Sequence, residues 1–269
     1  MAGFNVICGL PRSGSTLLCN ILNQNPRFHA SSTSALSYGV NALTQLWSNS
    51  PEVKSDLHND KVGTELRLKY ALSGMITGWY AHRTEPVIFD KGRSWCTASL
   101  ILKQLYPDSV IIACVRDLRA VFGSCEKQHK VNPLLDDSPD PMQRTQYSRA
   151  DRMFAPNGVI GSCVVGVEDL LRRRPKGLVF VQYESLVKSP KTVLQEVYAE
   201  LGEDYYKHDF TDVANTADDV DALYLCKFPH TGDGPVEPRP DDWQEHVAPD
   251  LAQQIMQRYQ GYNRAFSYR

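Results

Sequence analysis

The stretch Gly9-Leu10-Pro11-Arg12-Ser13-Gly14-Ser15-Thr16 has the residue types and spacing to hold an oxyanion. It follows the apolar run Phe4-Asn5-Val6-Ile7-Cys8 and precedes the helix-like segment Thr16 to Leu22. A strand, a glycine-containing loop and a helix in that order form a cradle whose backbone N–H groups and first helical turn point at one anion. The spacing fits G-x-x-x-x-G-[KS]-[ST], but Ser15 stands where a nucleotide triphosphatase has the lysine that reaches its β- and γ-phosphates. Arg12, inside the loop, is the expected substitute cation, and its planar guanidinium suits two oxygens of one anion. The expected ligand is a phosphate or phosphosulfate rather than a triphosphate.

A second cluster surrounds Val115-Arg116-Asp117-Leu118-Arg119. Ser124 follows Arg116 by eight residues, about two helical turns, so the two share a helix face and can hold a second phosphate. A surface Arg116–Asp117 pair beside a helix serine is the structural alternative. Lys91 ends a short apolar run, Val87-Ile88-Phe89-Asp90-Lys91, and reads either as a site cation or as part of an Asp90–Lys91–Arg93 surface cluster.

These residues need a scaffold, and apolar runs supply it. Apolar runs at 4–8, 87–89, 110–115 and 178–181 read as strands, and the continuous run 110–115 as one buried on both faces. Helical periodicity is read near 61–82, 95–106, 117–130, 160–174, 190–201 and 248–260. Alternating strands and helices predict an α/β fold, with a central parallel sheet and helices on both faces. Ligands in such sheets sit beyond the carboxyl ends of the strands. Arg12, Asp90-Lys91, Arg116-Asp117 and Tyr183-Glu184 all fall there. Two segments, 132–141 and 228–242, read as proline-rich loops, and Trp243 as an anchor for the C-terminal tail.

Composition narrows the function classes. The chain has 269 residues, 42% hydrophobic and 22% charged, with a net charge of −2. No overall basic field argues for nucleic acid. No apolar run approaches the ~20 residues of a membrane span, and the start of the chain leaves no room for a signal peptide. The seven cysteines are odd in number and form no C-x-x-C, so they read as reduced core thiols of a cytoplasmic protein, with no metal site.

GLPRSGSTLL, then DK with RSW, then VRDLRAVFGS, then QYESLVKSP together resemble the sulfotransferases, enzymes that use 3′-phosphoadenosine 5′-phosphosulfate (PAPS; product PAP). The resemblance covers most of the chain. It is closest to the soluble bacterial or phage-type enzymes and more distant to the protein-tyrosine group. It implies a P-loop-like three-layer sandwich, a single domain over 1–269, and transfer of a sulfuryl group to a hydroxyl or amine by in-line, metal-independent displacement. It implies that Pro11 to Thr16 (Pro11, Arg12, Ser13, Gly14, Ser15 and Thr16) bind the 5′-phosphosulfate, Arg116 and Ser124 the 3′-phosphate, and that Tyr183 lies near the nucleotide. Lys91 matches a lysine that steadies the leaving phosphate, and Lys227 with the loop from Phe228 to Gly234 resembles a donor-covering segment.

The base is where the pattern departs. Tyrosine-directed relatives carry a glutamate shortly after the first helix, whereas Phe28 to Ser34 has no carboxylate. His29 is the candidate base, with Asp90, His82 and His230 as rivals, and Ser31 to Ser34 as a hydroxyl-lined acceptor wall. A small-molecule or nucleoside kinase and a non-catalytic nucleotide-binding module remain as other readings. Acceptor type and oligomeric state are not encoded in any motif.

Overall fold

The apolar run that precedes the glycine loop forms β1 (Gly3–Gly9). It is the middle strand of a five-stranded sheet with β2 (Phe28–Thr33), β3 (Val87–Lys91), β4 (Ile111–Val115) and β5 (Leu178–Gln182). The order is β2-β3-β1-β4-β5, and every neighbouring pair is parallel. The structure is a computed structural model and describes residues 3–131, 144–217, 234–240 and 242–269.

The helices follow in chain order. The first five are α1 (Ser15–Leu22), α2 (Leu36–Asn49), α3 (Pro51–Asn59), α4 (Lys61–Trp79) and α5 (Ser99–Leu105). Then come α6 (Leu118–Val131), α7 (Gln146–Phe154), α8 (Gly161–Arg173), α9 (Tyr183–Lys188) and α10 (Pro190–Leu201). The chain closes with α11 (Pro249–Arg258) and α12 (Gln260–Ala265), so the expected C-terminal helix is two helices. A short 3₁₀ turn, Arg93–Cys96, follows β3, and another, Trp243–Glu245, precedes α11.

Strand alternation divides the core between two layers of helices. Val6 and Cys8, with Ile111, Ala113 and Val115, face a cluster formed with Leu36, Ile76, Trp95, Val121, Val167 and Ile255. Ile7, Ile112, Cys114 and Phe89 face the other side, against Leu18, Ile21 and Leu22 of α1, Leu186 of α9 and Leu194 of α10. Each fully buried Leu or Ile contributes about 1.5–3 kcal/mol, so the strands are held from both faces. This is the α/β sandwich the alternation of elements predicts. Among the described residues, Cys8, Cys19, Cys96, Cys114, Cys125 and Cys163 are free and buried, all but Cys125 within these layers.

Strand β2 was not among the four expected. Its sequence, Phe-His-Ala-Ser-Ser-Thr, is apolar only in its first half, because it lies at the sheet edge and buries one side. Helices α2, α3, α7 and α9 were likewise unread; α7 is polar and begins at a Thr145 cap whose Oγ1 accepts from the Ser148 N–H at 3.2 Å. The loop 132–141 lies outside the described residues. Of the loop 228–242, residues 234–240 and 242 are described, and Gly234 is tied to Val213 by a pair of backbone hydrogen bonds.

Candidate functional site

The loop after β1 is shaped by two glycines. Gly9 has φ +115°, and a Cβ there would lie 2.0 Å from the Cys114 carbonyl oxygen. Its successor Leu10 donates its N–H to that oxygen at 2.9 Å, so the loop leaves β1 in contact with β4. Gly14, at φ +80°, passes so close to Tyr183 that a Cβ would meet the ring at 2.8 Å. Between them the Ser13 hydroxyl donates to the Leu10 carbonyl at 2.6 Å and closes the turn. The first helical bond of α1 runs from Leu18 N–H to Gly14 O at 2.9 Å, and no side chain caps the helix. The N–H groups of Ser15, Thr16 and Leu17 therefore precede the helical ladder and, with the helix dipole, favour an anion.

Lys91 is the cation at this helix end. Its Nζ donates to Thr16 Oγ1 at 2.8 Å, and the residue is only 6% exposed. Its backbone is fixed on both sides: the N–H donates to Ser31 Oγ at 2.9 Å and the carbonyl accepts from Ser34 N–H at 2.8 Å. Arg12, expected to replace the missing loop lysine, points elsewhere. At φ +58° it turns its Nε onto Ser124 Oγ, 3.1 Å away.

Arg116 completes that second cluster. Its Nη1 donates to the Arg12 carbonyl at 2.9 Å, and its guanidinium lies 4.3 Å from the centre of the Tyr183 ring. Tyr262 holds the strand end in place: its hydroxyl donates to the Arg116 carbonyl at 2.8 Å and accepts from the Arg116 N–H at 3.2 Å. The Arg116 Nε is buried and has no hydrogen-bond partner among the described residues. Arg116 and Ser124 thus meet through Arg12, with Arg116 ahead of α6 and Ser124 within it.

One cavity of about 500 Å³ opens over both clusters. Pro11, Arg12, Gly14, Ser15, Thr16, Lys91, Arg116, Ser124 and Tyr183 all line it. Ser13 does not, because its hydroxyl faces into the loop. Arg93, Gln128, Glu237, Arg239 and Trp243 also line it. Trp243, read as a tail anchor, packs against Gly123 of α6, where an added Cβ would meet its Cβ at 2.8 Å. Arg119 lies 4.7 Å from its ring centre. The tail crosses to this position from Val236, whose N–H donates to the Phe210 carbonyl at 2.8 Å. In the sequence, Arg93 stands two residues beyond Lys91, while Glu237, Arg239 and Trp243 show only as a proline-rich loop and a tail anchor.

Among the described residues, the candidate bases His29, His82 and Asp90 do not line the cavity. His29 and His82 line a separate groove beside β2. His29 Nδ1 lies 2.6 Å from Arg83 Nη2. A guanidinium only donates, so Nδ1 accepts and the ring proton sits on Nε2. Burial, and then the Arg83 charge, lower the His29 pKa. Asp90 has no exposed surface; it accepts from Trp95 Nε1 at 2.6 Å and from the Tyr80 hydroxyl, and burial raises its pKa. Lys227 and His230 lie outside the described residues. Among the described residues no cluster of three or more His, Cys, Asp or Glu could hold a metal, and no helix is long and apolar enough to cross a membrane.

Comparison with known proteins gives the fold and the family. A protein-tyrosine sulfotransferase 2 from Gallus gallus is 32% identical over 121 residues, which are 44% of this chain and 32% of that protein. The match therefore spans about a third of that relative. A mouse sulfotransferase complexed with PAP superposes with a TM-score of 0.56 at 13% identity, over 98% of this chain and 85% of that one. Retinol dehydratase in complex with androsterone and the inactive cofactor PAP gives 0.54 at 14% identity, over 97% and 80%. The sulfotransferase domain of the Synechococcus PCC 7002 olefin synthase gives 0.52 at 19%, over 96% and 94%. At these identities the solved structures speak to the fold. The family is set by the sequence model described as "Sulfotransferase family", which matches residues 6–207, most of the chain: this protein belongs to the sulfotransferase family.

Proposed function

We propose that this chain is a PAPS-dependent sulfotransferase acting on a hydroxyl or amine acceptor. The observation that carries the reading is the pair of anion sites in one cavity. One is the start of α1 with Lys91 on Thr16; the other is Arg116, Arg12 and Ser124. A donor with a phosphosulfate at one end of its ribose and a phosphate at the other matches two such sites, and the unpartnered Arg116 Nε supplies a donor that an anion would satisfy.

When bound, PAPS supplies the activated sulfuryl group. The N–H groups of the loop and of α1 orient the 5′ end, with Ser15 and Thr16 as hydroxyl donors. Arg116, Arg12 and Ser124 hold the 3′-phosphate, and Tyr183 keeps the Arg116 plane in position by stacking beneath it. Lys91 meets charge that builds on the departing phosphate, which is stabilisation realised in the transition state. A sulfuryl group carries less negative charge than a phosphoryl group, so these cations and N–H groups suffice without a metal. The S–O bond to the acceptor would form as the S–O bond to PAP breaks, and the acceptor proton would leave to solvent; His29 is not assigned the role of base, since Nδ1 is taken by Arg83 and Nε2 carries the ring proton. The six buried free thiols fit a reducing compartment, and we place the enzyme in the cytoplasm.

Calorimetry with PAP and with 5′-AMP tests the donor. Each well-placed charged contact is worth roughly 1.5–3 kcal/mol, so PAP is expected to bind at least about tenfold more tightly. Equal affinities would remove the basis for the assignment.

A further inference from the structure

A second groove of about 720 Å³ runs along the outer edge of β2. Building on the donor reading above, we infer that this groove is the acceptor site and that it selects a neutral saccharide. Thr33 lines both the groove and the donor cavity, so the two spaces meet where β2 ends beside Lys91. A hydroxyl held in the groove and directed past Thr33 reaches the same strand end that carries the Lys91 ammonium.

The groove's chemistry sets the acceptor class. Its arginine and glutamate cancel: Arg83 Nη2 lies 2.7 Å from Glu85 Oε1, with side chains 32% and 22% exposed. Burial, and then the same Arg83, lower the His29 pKa, and Arg83 on Nδ1 leaves the proton of the neutral ring on Nε2. The wall therefore offers a guanidinium fork, a carboxylate, an imidazole N–H and the Ser32 hydroxyl at close quarters, with no surplus charge to recruit an ionic acceptor. Arg83 and Glu85 already satisfy each other, so the groups that a wholly apolar acceptor would bury unpaired are the His29 Nε2–H and the Ser32 hydroxyl, which is costly. Trp79, 47% exposed, sets a flat indole on the same groove, the surface on which the C–H face of a sugar ring packs.

An extended peptide is disfavoured by the strand edge itself. Adding a peptide strand requires open backbone groups along β2. The Asn23 amide already occupies them at Ala30: Nδ2 donates to the Ala30 carbonyl at 2.9 Å, and Oδ1 accepts the Ala30 N–H at 2.6 Å. Recognition in this groove falls to side chains.

The experiment offers labelled donor with neutral disaccharides (lactose, maltose and cellobiose) or with a tyrosine-containing peptide. Label is expected on a disaccharide. Trp79→Ala is expected to raise the disaccharide KM about tenfold, with kcat and PAP affinity unchanged within about twofold, and Trp79→Phe to recover most of the loss. Trp79 is half exposed, so the variant is expected to fold. Label on the peptide alone, no label on any disaccharide by a chain that binds PAP, or an unchanged KM in Trp79→Ala would each overturn the inference. Failure to bind PAP at all would be a separate result that removes the donor reading as well.

Discussion

Lys91 at the end of β3 donates its ammonium to the Thr16 hydroxyl in the first turn of α1, 2.8 Å away. A cation from a neighbouring strand thus stands where the loop itself has Ser15. Because the contact lies at the proposed leaving phosphate, its loss is expected to act on the chemical step. Lys91→Ala should lower kcat by about 10²–10³, the usual scale for removing one electrostatic stabiliser, while PAP affinity changes only a few-fold. Single-turnover rates beside PAP calorimetry separate the two. A normal kcat at saturating acceptor would leave Lys91 with a packing role.

Arg116→Lys is expected to behave almost like Arg116→Ala. An ammonium keeps the charge but loses both the Nη1 bond to the Arg12 carbonyl and the stack on Tyr183. PAP affinity should drop about tenfold in each variant while 5′-AMP affinity holds. Full retention by the lysine variant would mean that charge alone suffices there.

Gly14→Ala tests the shape of the loop. The residue sits at φ +80°, and the new Cβ would press into Tyr183 at 2.8 Å. A side chain in this left-handed region costs about 1–2 kcal/mol, before the ring moves. The expected outcome is a melting temperature lower by several degrees and weakened PAP binding, read by differential scanning calorimetry with and without PAP. Unchanged PAP affinity would show that Tyr183 does not need its observed position.

The parts of this site that were legible in sequence are those built from local geometry. The glycine loop shows because only particular residues accept its backbone, and Lys91 shows because an apolar strand ends in a charge. Arg116 and Ser124 show as a spacing. Their link through Arg12 does not, because it depends on a positive φ at a non-glycine residue. Strand β2 was hidden because it lies at the sheet edge and only its first half is apolar, with Asn23 closing the backbone groups of Ala30. His29 looked like a base until Arg83, 54 positions away, fixed its tautomer. The cavity wall at Trp243 depends on a tail that crosses to Gly123, a contact that chain order does not foretell.

Turnover is expected to survive EDTA. The cations proposed to meet the donor, Lys91, Arg12 and Arg116, are already in the cavity wall, and sulfuryl transfer has less charge to neutralise than phosphoryl transfer. Initial rates with and without chelator check this. Abolished activity that Mg²⁺ restores would favour the kinase-like reading.

Away from the site, His208 makes stability depend on pH. It is buried among Tyr198, Tyr205, Tyr206 and Phe210, with Nε2 3.0 Å from the Tyr198 hydroxyl. That hydroxyl accepts from Asn25 Nδ2, also at 3.0 Å, so its own proton is directed to the imidazole, which must be neutral to accept it. Burial lowers the His208 pKa from 6.5 to about 4. Between those values the unfolded chain binds a proton that the folded chain refuses. The contribution is therefore full above pH 6.5 and declines as pH falls toward 4. Urea midpoints measured from about pH 7.5 to 5 should fall for the native chain. In His208→Asn they should start lower and fall less, because the substituted amide does not titrate in this range. Parallel slopes in the two proteins would mean that His208 is not the group responsible.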